Sequence, residues 1–230
     1  MKWNVQGKSI VMLVILTIAI LLVSISGGLG IDSGLFDQGS CEPPCWHNLT
    51  PGLSSADDVD DFLSNLSRID WPTRNIYAPG AGCESLQLID KFRLGSAYLY
   101  VVDGKLTFIQ LIHPTKIKLE KIVDYFGNPE YFMAVSEIGV DYSSQILEVY
   151  YPSKGLGFEI DLDLDKTIDR IRPDMEISAI HYFKPGDLSS YYLSRYPCSL
   201  DAYNSEKFVQ KWHGFGPIDV IIYDPLAPDP

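Results

Sequence analysis

The pattern of hydrophobic positions divides the chain into one uninterrupted apolar run and a long remainder in which apolar and polar residues alternate. The run, residues 10–25, has sixteen residues without a charge and follows the basic residues Lys2 and Lys8. An apolar segment behind a short basic leader enters a membrane with its leader on the cytoplasmic side. Residues 1–26 are therefore predicted to be a signal-anchor, and everything after them is predicted to lie outside the cytosol.

The length of the apolar run fits both a cleaved signal peptide and a retained transmembrane helix. Signal-peptide cores have roughly 7–15 apolar residues and a spanning helix about 20, and sixteen lies between these values. Ser24 and Ser26 would permit cleavage before Gly27, which would give a secreted protein. The weakly apolar continuation to Ile31 extends the helix to about 33 Å, enough to cross a bilayer. We therefore expect a retained, single-pass transmembrane helix.

Two segments beyond the run have apolar residues at helical spacing. Each has them at i, i+3, i+4 and i+7, namely Val59, Phe62, Leu63 and Leu66 in one and Leu119, Ile122, Val123 and Phe126 in the other. Ser54 or Ser55 can cap the first helix, and Gly127 followed by a proline ends the second. The two sets differ by 60 at every position, which is compatible with a duplicated helix-plus-sheet unit over residues 54–112 and 113–172, or with two unrelated amphipathic helices.

Strands are predicted around these helices. The clearest is a hairpin over residues 97–112, where two apolar runs flank Asp103-Gly104, a dipeptide suited to a type I′ turn. Other strands are predicted at residues 83–92, 131–136, 145–151, 156–164, 176–183 and 218–223, and short helices at 187–195 and 205–212. The pattern predicts an α+β domain over residues 54–223, with helices packed on an antiparallel sheet. Residues 27–53 are predicted to be a tether and 224–230 a flexible tail.

Composition narrows the function. The 230 residues contain 18 basic and 30 acidic side chains, a net charge of −12. An acidic body repels phosphate backbones, so nucleic acid is not an expected partner. The sequence has no G-x-S-x-G, S-x-x-K, H-E-x-x-H, C-x-x-C or Walker motif. We therefore predict no cofactor, no metal and no catalytic residue.

The four cysteines lie beyond the apolar run and are even in number, which in an oxidising compartment indicates two disulfides. Glu42-Pro43-Pro44 stiffens the loop between Cys41 and Cys45. Each of these two is therefore expected to pair with either Cys83 or Cys198. A zinc site from Cys41, Cys45 and His47 is the alternative, but its C-x3-C-x-H spacing differs from the paired C-x2-C of zinc modules.

One acidic stretch suggests a calcium loop. Starting at Asp161, acids fall at positions 1, 3, 5 and 9, but Lys166 replaces the required glycine and Arg172 the closing glutamate. Alternation of Asp and Leu has the period of a half-exposed strand, which we favour.

Aromatic residues are the candidates for binding. His47 and His213 each follow a tryptophan, which indicates either a shared aromatic–imidazole pocket or two separate core tryptophans. His181 lies in an apolar strand pattern typical of a core histidine. Tyrosine combines a large contact area with a hydrogen bond and is enriched in interfaces. The predicted binding surface consists of Tyr98, Tyr100, Tyr150, Tyr151, Trp46 and Trp212.

Two local resemblances agree with export. Residues 51–55 (PGLSS) and 119–129 (LEKIVDYFGNP) resemble the helix start and end of BamE-like (SmpA/OmlA) domains. The resemblance implies a small helix-plus-sheet module that binds other envelope proteins. The chain departs from that family in having no lipidated cysteine and in having Lys118 at the cap of the second helix. Residues 44–52 and 212–216 are similar to a group of bacterial exported proteins of unknown function.

These observations predict a membrane-anchored extracytoplasmic module that binds an envelope or extracellular protein without catalysis, or that has a structural role in the envelope. The alternative is an extracellular hydrolase with paired carboxylates, drawn from Asp161, Asp163 and Glu159, or with a His–carboxylate pair. An enzyme should bring such groups together in a cleft, whereas a binding module should present an aromatic face.

Overall fold

The computed structural model of the chain describes residues 33, 35–36, 41–65, 73–77, 83–89, 95–114, 116–138, 143–161, 169–189, 191 and 208–223. The predicted signal-anchor, part of the tether, the tail, Asp163 and Cys198 lie outside these residues. Within the described part, no helix has both the length and the apolar character needed to cross a membrane.

Strands dominate the described structure. The two α-helices are α1 (Ala56–Ser64) and α2 (Leu119–Phe126), and a 3₁₀ turn covers Pro152–Lys154. The strands are β1 (Thr73–Tyr77), β2 (Cys83–Ile89), β3 (Ser96–Val102), β4 (Lys105–Ile112), β5 (Tyr131–Ile138), β6 (Ser143–Tyr151), β7 (Leu156–Asp161), β8 (Arg170–Ile171), β9 (Ala179–Phe183), β10 (Val209–Lys211), β11 (Gly216–Pro217) and β12 (Ile221–Tyr223).

Ten of these strands form one sheet in the order β1-β2-β3-β4-β9-β7-β6-β5-β10, with β12 also paired to β5. All pairs are antiparallel except β12 with β5. Strands β8 and β11 form a separate pair. The α+β prediction, with two repeated helix-plus-sheet units, is wrong: the chain is mostly β, and β9 joins both groups of strands into one sheet by pairing with β4 and β7.

Local signals in the sequence placed several elements correctly. Helix α1 begins with a capping box, in which Ser55 N donates to Asp58 Oδ2 at 2.7 Å and Asp58 N donates to Ser55 Oγ at 3.2 Å. Asp103 and Gly104 both have positive φ, 49° and 74°, as the predicted hairpin turn requires. The helix predicted at 205–212 is wrong, because residues 209–211 pair with β5 as strand β10.

Buried hydrophobic side chains lie on both faces of the sheet. One face, with α1, α2 and Trp46, carries the main hydrophobic core, and side chains alternate toward it along each strand. The opposite face carries a smaller cluster made of Phe108, Met133, Tyr150, Phe183 and Tyr191. All five residues of β9 are buried, as expected of a central strand covered on both sides.

The disulfide differs from the prediction. Cys41 is bonded to Cys45, with Cα atoms 5.5 Å apart, so the expected pairing of each with Cys83 or Cys198 is wrong. The intervening segment reverses direction, since Cys45 N donates to the carbonyl of Glu42 at 3.2 Å, and the Pro43–Pro44 peptide is cis. The zinc alternative fails as well, because the two sulfurs bond to each other rather than acting as thiolate ligands.

Candidate functional site

The register of the sheet aligns a row of residues across the face opposite the main core. Adjacent members are direct partners in neighbouring strands, in the order Gln87, Tyr98, Gln110, His181, Gly157, Tyr150 and Tyr131. Directly opposite residues of antiparallel strands have Cβ atoms about 4.5–5.5 Å apart. The row therefore places polar and aromatic side chains in sequence from β2 to β5.

A buried polar network occupies the middle of this face. His181 is 0% exposed and Glu148 is 1% exposed, although burial of either group is costly without partners. Tyr191 OH lies 2.9 Å from His181 Nδ1 and donates to Glu148 Oε2 at 3.3 Å. Tyr150 OH donates to the same carboxylate oxygen in a short hydrogen bond. Two phenols thus hold Glu148 in place.

Donor and acceptor counting assigns the state of His181. The single hydroxyl proton of Tyr191 goes to Glu148, so this hydroxyl oxygen accepts from His181 Nδ1–H. On the other side of the ring, the Gln110 amide nitrogen lies 3.2 Å from His181 Nε2 and donates to it. With the Gln110 amide in this orientation Nε2 acts as an acceptor, which corresponds to a neutral imidazole with its proton on Nδ1.

A second carboxylate lies beside the ring. Glu159 of β7 is the direct register partner of Glu148 of β6, and its Oε2 is 3.6 Å from His181 Nε2. The Glu159 side chain is 14% exposed, whereas that of His181 is fully buried. The site therefore combines a histidine with two carboxylates, one enclosed and one in contact with solvent. Such a group can exchange a proton with solvent or offset a positive charge.

Tyr191 completes the enclosure because the row has a glycine at its centre. A Cβ at Gly157 would lie 3.4 Å from Tyr191 Cε2, so the missing side chain leaves space for the ring. The Tyr191 ring stacks on His181 with centroids 5.9 Å apart and packs against Phe183 and Tyr150, each at 4.9 Å. These ring contacts, within the usual range for aromatic pairs, fix its hydroxyl between His181 and Glu148.

Beyond the enclosed network the same face is half-exposed and uncharged. We call Gln87, Tyr98, Tyr100 and Gln110 the tyrosine–glutamine strip; all four side chains are partly accessible to solvent. Gln87 Nε2 donates to Tyr98 OH at 2.7 Å, and the Tyr100 ring packs on Phe108 at 5.8 Å. The strip offers phenol and amide groups in fixed positions on a rigid sheet.

The structure separates the six predicted binding residues. Tyr98 and Tyr100 lie on one strand face in the strip. Trp46, Tyr150 and Tyr151 are buried in the two cores and present no exposed surface. Trp212 is half-buried and packs on Phe132 and Phe215 at 6.3 and 5.7 Å.

The two Trp-His pairs have different neighbours. Trp46 packs against Phe62 at 5.4 Å and His47 at 4.9 Å, whereas His213 packs against Phe132 at 5.2 Å. This supports the interpretation of two tryptophans in separate parts of the core.

Glu159 and His181 were candidates from the sequence, whereas Glu148 and Gln110 were not. Glu148 had a signal, since it is the one acid in the continuous apolar run at residues 146–151. An acid in a strand buried on both sides needs dedicated partners. Of the hydrolase candidates, Asp161 ends β7 and Asp163 falls outside the described residues, as does most of the proposed calcium loop.

Comparisons with known proteins give no identity. No family model matches the sequence, and neither curated proteins nor solved structures include a match to the chain. In the part of the chain that the structure describes, no group of three or more His, Cys, Asp or Glu side chains is placed to hold a metal ion.

Proposed function

We propose that this chain is an extracytoplasmic binding module, held at a membrane by its N-terminal segment, that contacts an envelope or extracellular protein through the tyrosine–glutamine strip. The observation that supports it is the strip itself: four half-exposed, uncharged side chains side by side on one sheet face. Tyrosine rings provide contact area at low entropic cost, and amides add directional hydrogen bonds.

Preorganisation favours binding at this surface. The Gln87–Tyr98 hydrogen bond holds two members of the strip against each other. Gln110 is held by its hydrogen bond to His181 in the adjacent strand. Side chains that are already ordered lose less entropy when a partner docks. The strip has no cationic side chain and the protein has a net charge of −12, so a nucleic acid or another polyanion is a poor fit.

The test is capture of a partner from the native envelope. The full-length protein, with an affinity tag, is cross-linked in intact cells and purified, and co-purified proteins are identified by mass spectrometry. We expect Tyr98→Ala and Tyr100→Ala to abolish recovery of a specific partner. Tyr125→Ala is the matched control, because Tyr125 is 59% exposed on helix α2 rather than on the strip. Equal recovery with all three variants would reject the strip as the binding surface.

Attachment to the membrane is tested separately. Intact mass of the native protein distinguishes a retained N-terminal segment from cleavage before Gly27. Protease added to cells with a permeable outer barrier should digest the domain if it lies outside the cytosol. Protection from protease in such cells would contradict the proposed location.

A second candidate function rests on the Glu159–His181 contact of 3.6 Å. A partly exposed carboxylate beside a histidine can act as a general acid–base pair in a hydrolase. In-gel hydrolysis of cell-wall polymer by the full-length protein would support this function, provided that Glu159→Gln and His181→Gln both abolish it. Activity that survives both substitutions, or no activity in the unmodified protein, would exclude it.

A further inference from the structure

We propose that His181 is a proton-binding site, and that taking up a proton changes the hydrogen bonds that its ring makes to Gln110 and Glu159. The site goes beyond the proposed function, since proton binding depends only on the network. Histidine is the side chain whose ordinary pKa, about 6.5, lies within the pH range of most extracellular surroundings.

The neutral state has a complete set of partners. His181 Nδ1–H donates to Tyr191 OH at 2.9 Å, and Nε2 accepts from Gln110 at 3.2 Å. Tyr191 in turn donates to Glu148, so a chain of three hydrogen bonds runs from β4 through β9 to β6. Of these bonds, the one from Gln110 depends on Nε2 having a free lone pair.

Protonation of Nε2 breaks the hydrogen bond between Gln110 and His181. The Gln110 amide nitrogen and a protonated Nε2 would both be donors and cannot bond to each other. The nearest carboxylate oxygen shown is Glu159 Oε2 at 3.6 Å, so a movement of under about 1 Å gives a charge-assisted hydrogen bond of ordinary length. The Nδ1 bond to Tyr191 is unchanged, because that nitrogen donates in both states.

Among the described residues, two of the strands packed against His181 carry acidic groups. Among the described residues, β7 contributes Glu159 and β6 contributes Glu148 and the Tyr150 phenol. Tyr191 covers the ring, and β4 contributes only uncharged groups, Gln110 and Phe108. Two carboxylates directly opposite each other also repel, and a cationic His181 beside them reduces that repulsion.

Gln110 links protonation of His181 to the tyrosine–glutamine strip. It is the register partner of His181 on one side and of Tyr98 on the other. When Nε2 becomes a donor, the Gln110 amide must turn its oxygen toward the ring or leave it, which changes the donor and acceptor pattern in the strip. This last consequence rests on the proposed function, whereas the proton-binding site itself does not.

Nuclear magnetic resonance tests the site without any ligand. Full-length protein with ¹⁵N-labelled histidine is purified in detergent and titrated from pH 8 to pH 5. At pH 8, we expect His181 to carry its proton on Nδ1, and on acidification to gain a second proton on Nε2. His47, His113 and His213 are exposed and serve as internal references. An Nε2-protonated His181 at pH 8, or no proton uptake down to pH 5, would overturn the proposal.

Two variants identify the partners. Glu159→Gln keeps the shape of the side chain and removes its charge, so His181 should bind its proton about tenfold more weakly. Tyr191→Phe removes the acceptor for Nδ1–H, and the neutral ring should move its proton to Nε2. An unchanged titration midpoint in Glu159→Gln would refute the role of Glu159. Partner capture at pH 7.5 and pH 5.5 then tests the surface consequence separately, since it can fail while the titration behaves as expected.

Discussion

Substitution of Gly155 tests how closely the β6–β7 turn fits the rest of the fold. Gly155 has φ +65°, and a Cβ there would overlap the carbonyl oxygen of Phe183 and lie 2.9 Å from Pro44 Cβ. Positive φ costs an L-residue about 1–2 kcal/mol, and forcing extra atoms into a packed site costs about 1–3 kcal/mol. Gly155→Ala should therefore lower the free energy of unfolding by about 3 kcal/mol, a value within the combined range of about 2–5 kcal/mol.

Gly104→Ala provides the matched control. Gly104 also has positive φ, +74°, but a Cβ there would meet nothing within 4 Å. Only the backbone cost remains, about 1–2 kcal/mol. Thermal unfolding of full-length protein in detergent, followed by tryptophan fluorescence, should show Tm falling by about 9 °C for Gly155→Ala and about 4 °C for Gly104→Ala. Equal shifts would refute the reasoning, because the contact with Phe183 and Pro44 would then contribute nothing.

Three further predictions concern other parts of the fold. Replacing both Cys41 and Cys45 by serine opens a short loop and should lower the free energy of unfolding, measured by chemical denaturation, by about 2 kcal/mol. Hydrogen bonds from the backbone and side chain of Ser55 lower the pKa of Asp58 below its ordinary 3.8. The resulting stabilisation of the fold is present above pH 3.8 and is lost as the pH falls through the lowered pKa of Asp58. Carboxyl NMR titration of Ser55→Ala should show the pKa of Asp58 returning toward 3.8. Burial raises the pKa of Tyr151, whose hydroxyl donates to the Gly127 carbonyl at 2.7 Å. Its contribution is present below about pH 10 and is lost as the pH rises toward the raised pKa. Ultraviolet titration at pH 11 should show fewer ionised phenols in the folded protein than in the unfolded chain, and Tyr151→Phe should reduce that difference by one phenol.

Elements specified by neighbouring residues could be predicted from the sequence. The capping residues of α1, the glycine and proline after α2 and the Asp103-Gly104 turn each act over a few residues, and all three are present as expected. Strand β10 could not be predicted in this way. Residues 209–211 are extended because they pair with β5, more than seventy residues earlier, and this long-range pairing overrides local preference.

The fold class and the site depend on register, which a single sequence does not show. The sequence shows the helical spacing of apolar residues and the hairpin turn. It does not show that β9 lies between β4 and β7 and makes one sheet from two groups of strands. The same register sets Glu148 opposite Glu159 and His181 opposite Gln110. Glu148 and Tyr191 are 43 residues apart and meet only in the folded sheet. The Cys41–Cys45 bridge was missed because Glu42-Pro43-Pro44 was expected to stiffen the loop and hinder a bond between these two cysteines.

The central position of β9 also determines when this protein can finish folding during synthesis. Strands β4 and β7 are synthesised before β9, and each offers an unpaired edge until residues 179–183 arrive to fill the gap between them. Open edges of this kind invite pairing with other chains. A nascent chain that ends before residue 179 contains two separate groups of strands, each with an unpaired edge. Addition of the five-residue strand β9 pairs both edges and so removes two sites of aggregation.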